Sequence, residues 1–237
     1  MNLIVFSLNA VARFPHEEIE KCMRLALIEF GIEPNDHKHF PQDLNIIQAF
    51  KAYFKTELNQ SLNEEQLELL IKYFSKKVKK LFLSDDDLFE IRPGVQSLFG
   101  EIEKQKSWKY AIISHLDFTT TRFILQSCGV FSKDKLTLCA EEGKNYQEQI
   151  SRLEKRVQKG DKPPTVHFFS LENDESLAKE TSLILPKKSK KEKNYFTYRR
   201  FEEYFKKAKK NKKKKNKWWL KLVLFSSFNL VTEFAVV

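Results

Sequence analysis

Three cysteines are all that the 237 residues contain. Cys22, Cys128 and Cys139 are odd in number and share no paired spacing, which excludes a disulfide framework and a zinc knuckle and points to a reducing compartment. The chain also has no basic stretch ahead of its first apolar run and no small-residue cleavage site after it. No secretory leader is therefore expected, and the cytoplasm is the expected location. No internal repeat is present. A chain of this length can still bury one core, or a core and a small accessory domain, without covalent staples.

Excess positive charge is missing from most of the chain. The formal net charge is +10, yet residues 187 to 237 hold 17 Lys and Arg against 4 Glu, or +13, leaving −3 for residues 1 to 186. An argument from basicity to nucleic acid or anionic lipid therefore concerns the tail alone.

What is present begins with MNLIVFSLNAVARF. An apolar run stops to place Ser7 and Asn9 on either side of Leu8, as a buried strand of an α/β sheet does at its carboxyl end, where such sheets carry their working residues. Residues 14 to 90 then carry helical periodicity and no strand signal. Ile19, Cys22, Met23, Ala26, Leu27 and Phe30 recur at three- and four-residue steps up to Gly31, and residues 41 to 55 and 63 to 82 repeat the period. The triplet Asp85-Asp86-Asp87 lacks the spacing and glycine of a cation loop and reads as a solvated turn.

From Arg92-Pro93-Gly94-Val95 onward the pattern changes. A helix opening with Pro near its first turn is followed by a strand in SWKYAIISH and a helix over residues 118 to 128. Strands over 136 to 139, 165 to 169 and 182 to 185 then alternate with helices over 146 to 157 and 175 to 180. Alternation of this kind predicts an α/β fold with a Rossmann-like parallel sheet core and a helical cap inserted after the first strand. The expected division is a core of residues 1–13 and 91–208, a cap of residues 14–90 and a tail of residues 209–237.

This order resembles the haloacid dehalogenase superfamily, in its helical-cap branch of phosphoglycolate phosphatases and β-phosphoglucomutases, over residues 1 to about 205. That family opens with Asp-x-Asp, where the first Asp attacks phosphorus and holds Mg²⁺ and the second protonates the leaving group. In VFSLNAV the resemblance puts Ser7 at the nucleophile position and Asn9 at the acid/base position, so both carboxylates are replaced. The family's phosphate-binding Ser or Thr falls on Ser114 in AIISH, and its charge-neutralising Lys on Lys144 in EEGKNYQEQ. Its Mg²⁺-binding Gly-Asp-(Ser/Thr)-x-x-Asp falls on HFFSLENDES, with Ser170 replacing one Asp and Asp174 retained as the sole metal-ligand candidate.

The resemblance thus implies a degenerate family member, a binding or regulatory module for a protein or a small phosphorylated ligand, with no cofactor expected. The opposing expectation is a divergent phosphomonoester hydrolase that retains Mg²⁺. A Ser nucleophile would need a base, and His115 and His167, both near strand ends, are the candidates. Other roles stand beside these: Ser114 as a cap of the next helix, Lys144 as a solvated surface cation, Asp174 as a cap of the helix over 175 to 180.

The tail offers a separate expectation. Nine Lys between Lys206 and Lys217 precede Trp218-Trp219 and an apolar stretch, a pattern suited to an anionic membrane surface through Lys206 to Phe225. Residues 222 to 237 reach roughly 24 Å as a helix, short of the roughly 30 Å hydrocarbon core. Phosphate contacts on nucleic acid are the rival use, and packing on the body is the third.

Overall fold

The computed structural model describes residues 2–35, 40–41, 44–85, 89–130, 136–158 and 164–169, together with the backbone of 182–184. The expectations for Ser170, Asp174, the helix over 175 to 180 and the tail from Lys206 through Phe225 to residue 237 lie outside the described residues.

A parallel sheet is the spine of the fold. Its strands are β1 (Asn2–Ser7), β4 (Trp108–Ile113), β5 (Leu136–Leu138), β6 (Thr165–Phe169) and β7 (Ser182–Ile184), in the spatial order β5-β4-β1-β6-β7. β1 lies centrally, with Val5 opposite Ala111 of β4 and Phe168 of β6. A strand covered on both faces must be apolar at every position, and Leu3, Ile4, Val5 and Phe6 are all buried. Leu3 and Val5 face α7 (Tyr146–Val157) through Ile150 and Leu153. Ile4 and Phe6 face α5 (Val95–Glu103) and α6 (Phe118–Ser127) through Leu98, Phe99, Ile102 and Ile124.

Two small elements follow β1 that the sequence pattern does not predict. The strand ends at Ser7, and α1 (Leu8–Val11) makes a single helical turn, so Asn9 sits on that turn rather than on the strand. Then β2 (Ala12–Arg13) pairs antiparallel with β3 (Glu90–Ile91), at the two borders of the stretch read as free of strands. Two-residue strands carry no periodicity; only their pairing defines them.

Between β2 and β3 lies the helical cap: α2 (His16–Glu29), α3 (Ile46–Glu57) and α4 (Glu64–Ser84). The third expected helix boundary moves, because α3 starts at Ile46 rather than residue 41, with the Asn45 side chain accepting from the Gln48 N–H at 2.9 Å. Asn63 and Gln66 cap α4 reciprocally. The expected Pro start of α5 also moves: Gly94, at φ 86°, takes the left-handed turn into Val95 and leaves Pro93 outside the helix.

Cap and core share one apolar cluster, in which Leu27, Phe50 and Phe74 of the cap join Phe6, Phe99 and Phe169 of the core. Buried polar ties cross the same boundary. Ser75 on α4 donates to Asp117 Oδ1 at 3.0 Å and lies 2.8 Å from Thr120 Oγ1. The α3 amino end is fastened too, by Ile46 N–H to the His115 carbonyl at 2.8 Å and Asn45 Nδ2 to the Gly143 carbonyl at 2.7 Å. Groups of this kind are costly to bury unpaired, so they fix where the cap sits. Among the described residues no helix is long and apolar enough to cross a membrane.

Candidate functional site

The carboxyl ends of β1 and β4 open into a cavity of about 520 Å³ between core and cap. The core contributes Leu8, Asn9, Arg92, Ser114, His115, Leu116 and Tyr146 to its lining, and the cap contributes a mainly apolar wall. The volume lies within the usual range for small-molecule sites.

The local folding of the chain explains these positions. β1 delivers Ser7, whose side chain is fully buried and whose hydroxyl donates to Asn9 Oδ1. The helical turn α1 turns Asn9 back toward the strand end. Pairing of β2 with β3 then brings Arg92 alongside: its N–H donates to the Val11 carbonyl at 2.9 Å and its Nε to the Asn9 carbonyl at 2.6 Å. No carboxylate meets the Arg92 guanidinium among the described residues. Burial, aided by the nearby Arg13, pushes Arg92 down to about 10, so it remains a cation at neutral pH.

On the β4 side, Ser114 is also fully buried, and its Oγ accepts from Leu116 N–H at 3.0 Å and Thr121 Oγ1 at 2.8 Å. It is not the cap of the next helix. Asp117 does that, accepting from Thr120 N–H at 3.0 Å. The Gln149 amide ties the loop after β5 to the end of β4, donating to the carbonyls of Ser114 at 2.9 Å and Cys139 at 2.8 Å. Gly143 leaves room for this, because a Cβ there would stand 2.8 Å from Gln149 Cγ. His115 and Tyr146 stack with ring centroids 3.7 Å apart.

The residues singled out from sequence thus divide. Asn9 and Ser114 line one cavity, with Ser7 bonded to Asn9 beneath them. Lys144 is exposed and outside that lining; its N–H donates to Glu148 Oε2 at 2.9 Å. Of the two candidate bases, His115 lies at the cavity and His167 does not. His167 pairs in register with Ile4, three residues upstream of Ser7, and stacks on Trp108 at the opposite end of β4, with centroids 5.5 Å apart. His167 is the middle residue of β6, and its register with Ile4 keeps it back from the carboxyl edge of the sheet.

Arg92 was missed because its bond to Asn9 spans 83 positions. Its one local signal is an Arg immediately before Pro93-Gly94, where the chain returns from cap to core.

Mg²⁺ favours octahedral oxygen ligation with carboxylate anchors. Ser7 and Asn9 offer only neutral oxygens, and among the described residues no three His, Cys, Asp or Glu gather where they could hold a metal. Among the described residues the cavity's one lining carboxylate, Glu20, is paired with Arg24 at 3.0 Å. The described residues do not fit the ion.

No protein-family model matches the sequence, and no curated protein matches it. Solved structures do match the fold. A hydrolase from Pseudomonas syringae shares 13% identity at a TM-score of 0.53, over 72% of this chain and 76% of that one. A haloacid dehalogenase-like family hydrolase from Streptococcus pneumoniae shares 12% identity at a TM-score of 0.50, over 86% of this chain and 98% of that one. Identities this low speak for architecture alone, and the architecture is clear: the chain has the haloacid dehalogenase-like α/β fold, a Rossmann-like parallel sheet with a helical cap inserted after its first strand.

Proposed function

We propose that the cavity between cap and core binds a small phosphorylated molecule without cleaving it, so that the protein serves as a binding or regulatory module. One observation carries the proposal: Arg92, a half-buried guanidinium that no carboxylate meets among the described residues, lines a cavity of small-molecule size. A cation partly withdrawn from water gains from an anion, and an anionic ligand supplies one through charge-assisted, bidentate hydrogen bonds. Asn9 and Ser114 supply neutral polar groups to the same cavity.

The residues at the end of β1 support retention without cleavage. Ser7 and Asn9 stand where the resemblance puts an attacking carboxylate and an acid/base carboxylate, and the Ser7 hydroxyl donates to the Asn9 amide oxygen, a neutral group. A second reading, a divergent phosphomonoester hydrolase, is favoured by the fold itself, since both solved relatives named above are hydrolases, and by His115 lying at the same cavity.

Turnover separates the two. The full chain with Mg²⁺ is expected to release no phosphate from a panel of small phosphomonoesters above the rate of its Ser7→Ala variant. Metal-dependent release that disappears in Asp174→Ala establishes the hydrolase instead.

A further inference from the structure

The two walls of the cavity differ in chemistry, and the difference bears on what the ligand carries besides its anionic group. The core wall carries the polar groups of Asn9, Arg92, Ser114, His115 and Tyr146, with Leu8 and Leu116 among them. Opposite it, the cap presents Ile19, Met23, Phe40, Leu44, Ile46 and Ala49. Ile19, Met23, Phe40, Ile46 and Ala49 are each no more than 5% exposed, so this wall is an interior surface. Phe14, at the entry to the cap, and Leu8, on the turn after β1, extend it. Among the described residues, the polar cap groups at the cavity are His16, exposed at the start of α2, and Glu20, whose Oε1 accepts from Arg24.

A sugar phosphate brings several hydroxyls, each of which loses its water on entering and needs a protein partner in return. The described residues of the apolar wall, Ile19, Met23, Phe40, Leu44, Ile46 and Ala49, supply none from their side chains. An acyl chain or aromatic ring has no such requirement and gains from leaving water.

We propose that the ligand joins an anionic head, seated at Arg92, to an apolar acyl or aryl body packed against the cap wall. The proposal rests on the binding function argued above and narrows its ligand class. The ties that hold α3 to the core, Asn45 to Gly143 and Ile46 to His115, keep this wall facing Arg92.

Calorimetric titration of the full chain with three probes tests it: inorganic phosphate, glucose 6-phosphate and the non-hydrolysable phenylphosphonate. Phenylphosphonate is expected to bind at least about tenfold more tightly than either of the others, the scale set by adding apolar groups to a matched pocket. The half-buried Phe14→Ser is expected to remove most of that preference while leaving phosphate affinity in place. Binding of glucose 6-phosphate as tight as that of phenylphosphonate, or a preference untouched by Phe14→Ser, overturns the inference and leaves the binding function standing. If none of the three probes binds, or if Arg92→Gln binds all three as the parent does, the binding function itself falls.

Discussion

Phe6→Ala is expected to cost about 3 to 5 kcal/mol of folding stability, the range for deleting a buried phenyl ring from a packed core. Phe6 is 1% exposed on the central strand and meets three rings: Phe169 stacked at 5.1 Å, Phe99 edge-on at 5.3 Å and Tyr110 edge-on at 6.4 Å. These come from β6, α5 and β4, so one truncation loosens three elements beneath the cavity floor, and Ser7 follows directly in sequence. Against a total stability of order 5–15 kcal/mol the loss is large. Thermal unfolding followed by circular dichroism should show the midpoint falling by roughly 10 °C. A drop of only a degree or two would mean that Phe6 does not sit in a close-packed aromatic cluster.

The second large effect is a dependence of stability on acidity, set by His167. Burial pushes this imidazole down from its ordinary 6.5 to about 4, because the charged form is poorly solvated between β1 and β7 and against Trp108. As pH falls below 6.5 the unfolded chain takes the proton first, while the folded chain resists it until about 4. Stability is therefore fully present above pH 6.5 and is lost progressively down to pH 4, by about 3 kcal/mol. His167→Phe keeps a ring against Trp108 and removes the titration. Urea midpoints measured from pH 7 to pH 4 should fall for the parent relative to this variant, and parallel profiles would show that His167 is readily protonated in the folded chain.

Much of the core could be read from sequence because its elements announce themselves locally. Tyr146–Val157 and Thr165–Phe169 appear with the bounds that periodicity and composition gave them. In the helix, apolar residues fall on one face behind an Asn145 cap; in the strand, a short aromatic and β-branched run is buried on both faces. What escaped depends on distant partners. The run LNAV is as apolar as the strand before it, and only the end of β4–β1 pairing at Ser7 makes it a turn of helix. β2 and β3 exist through pairing across the whole cap.

The site was legible in the same uneven way. Ser7, Asn9 and Ser114 follow from strand ends, and the structure places them together at the carboxyl edge of the sheet. The role of Ser114 was not legible, because its partners Leu116 and Thr121 come from a loop and a helix whose geometry Asp117 sets. Arg92 depends on a contact that no local pattern encodes, its Nε bond to the Asn9 carbonyl across the whole cap.

The measurement closest to the central claim is a crystal structure of the full chain soaked with inorganic phosphate at saturating concentration. Density for the anion is expected inside the cavity, with its oxygens about 2.7 to 3.2 Å from the Arg92 guanidinium nitrogens. Phosphate bound elsewhere with the cavity left empty, or bound in the cavity with Arg92 turned away, would contradict the account.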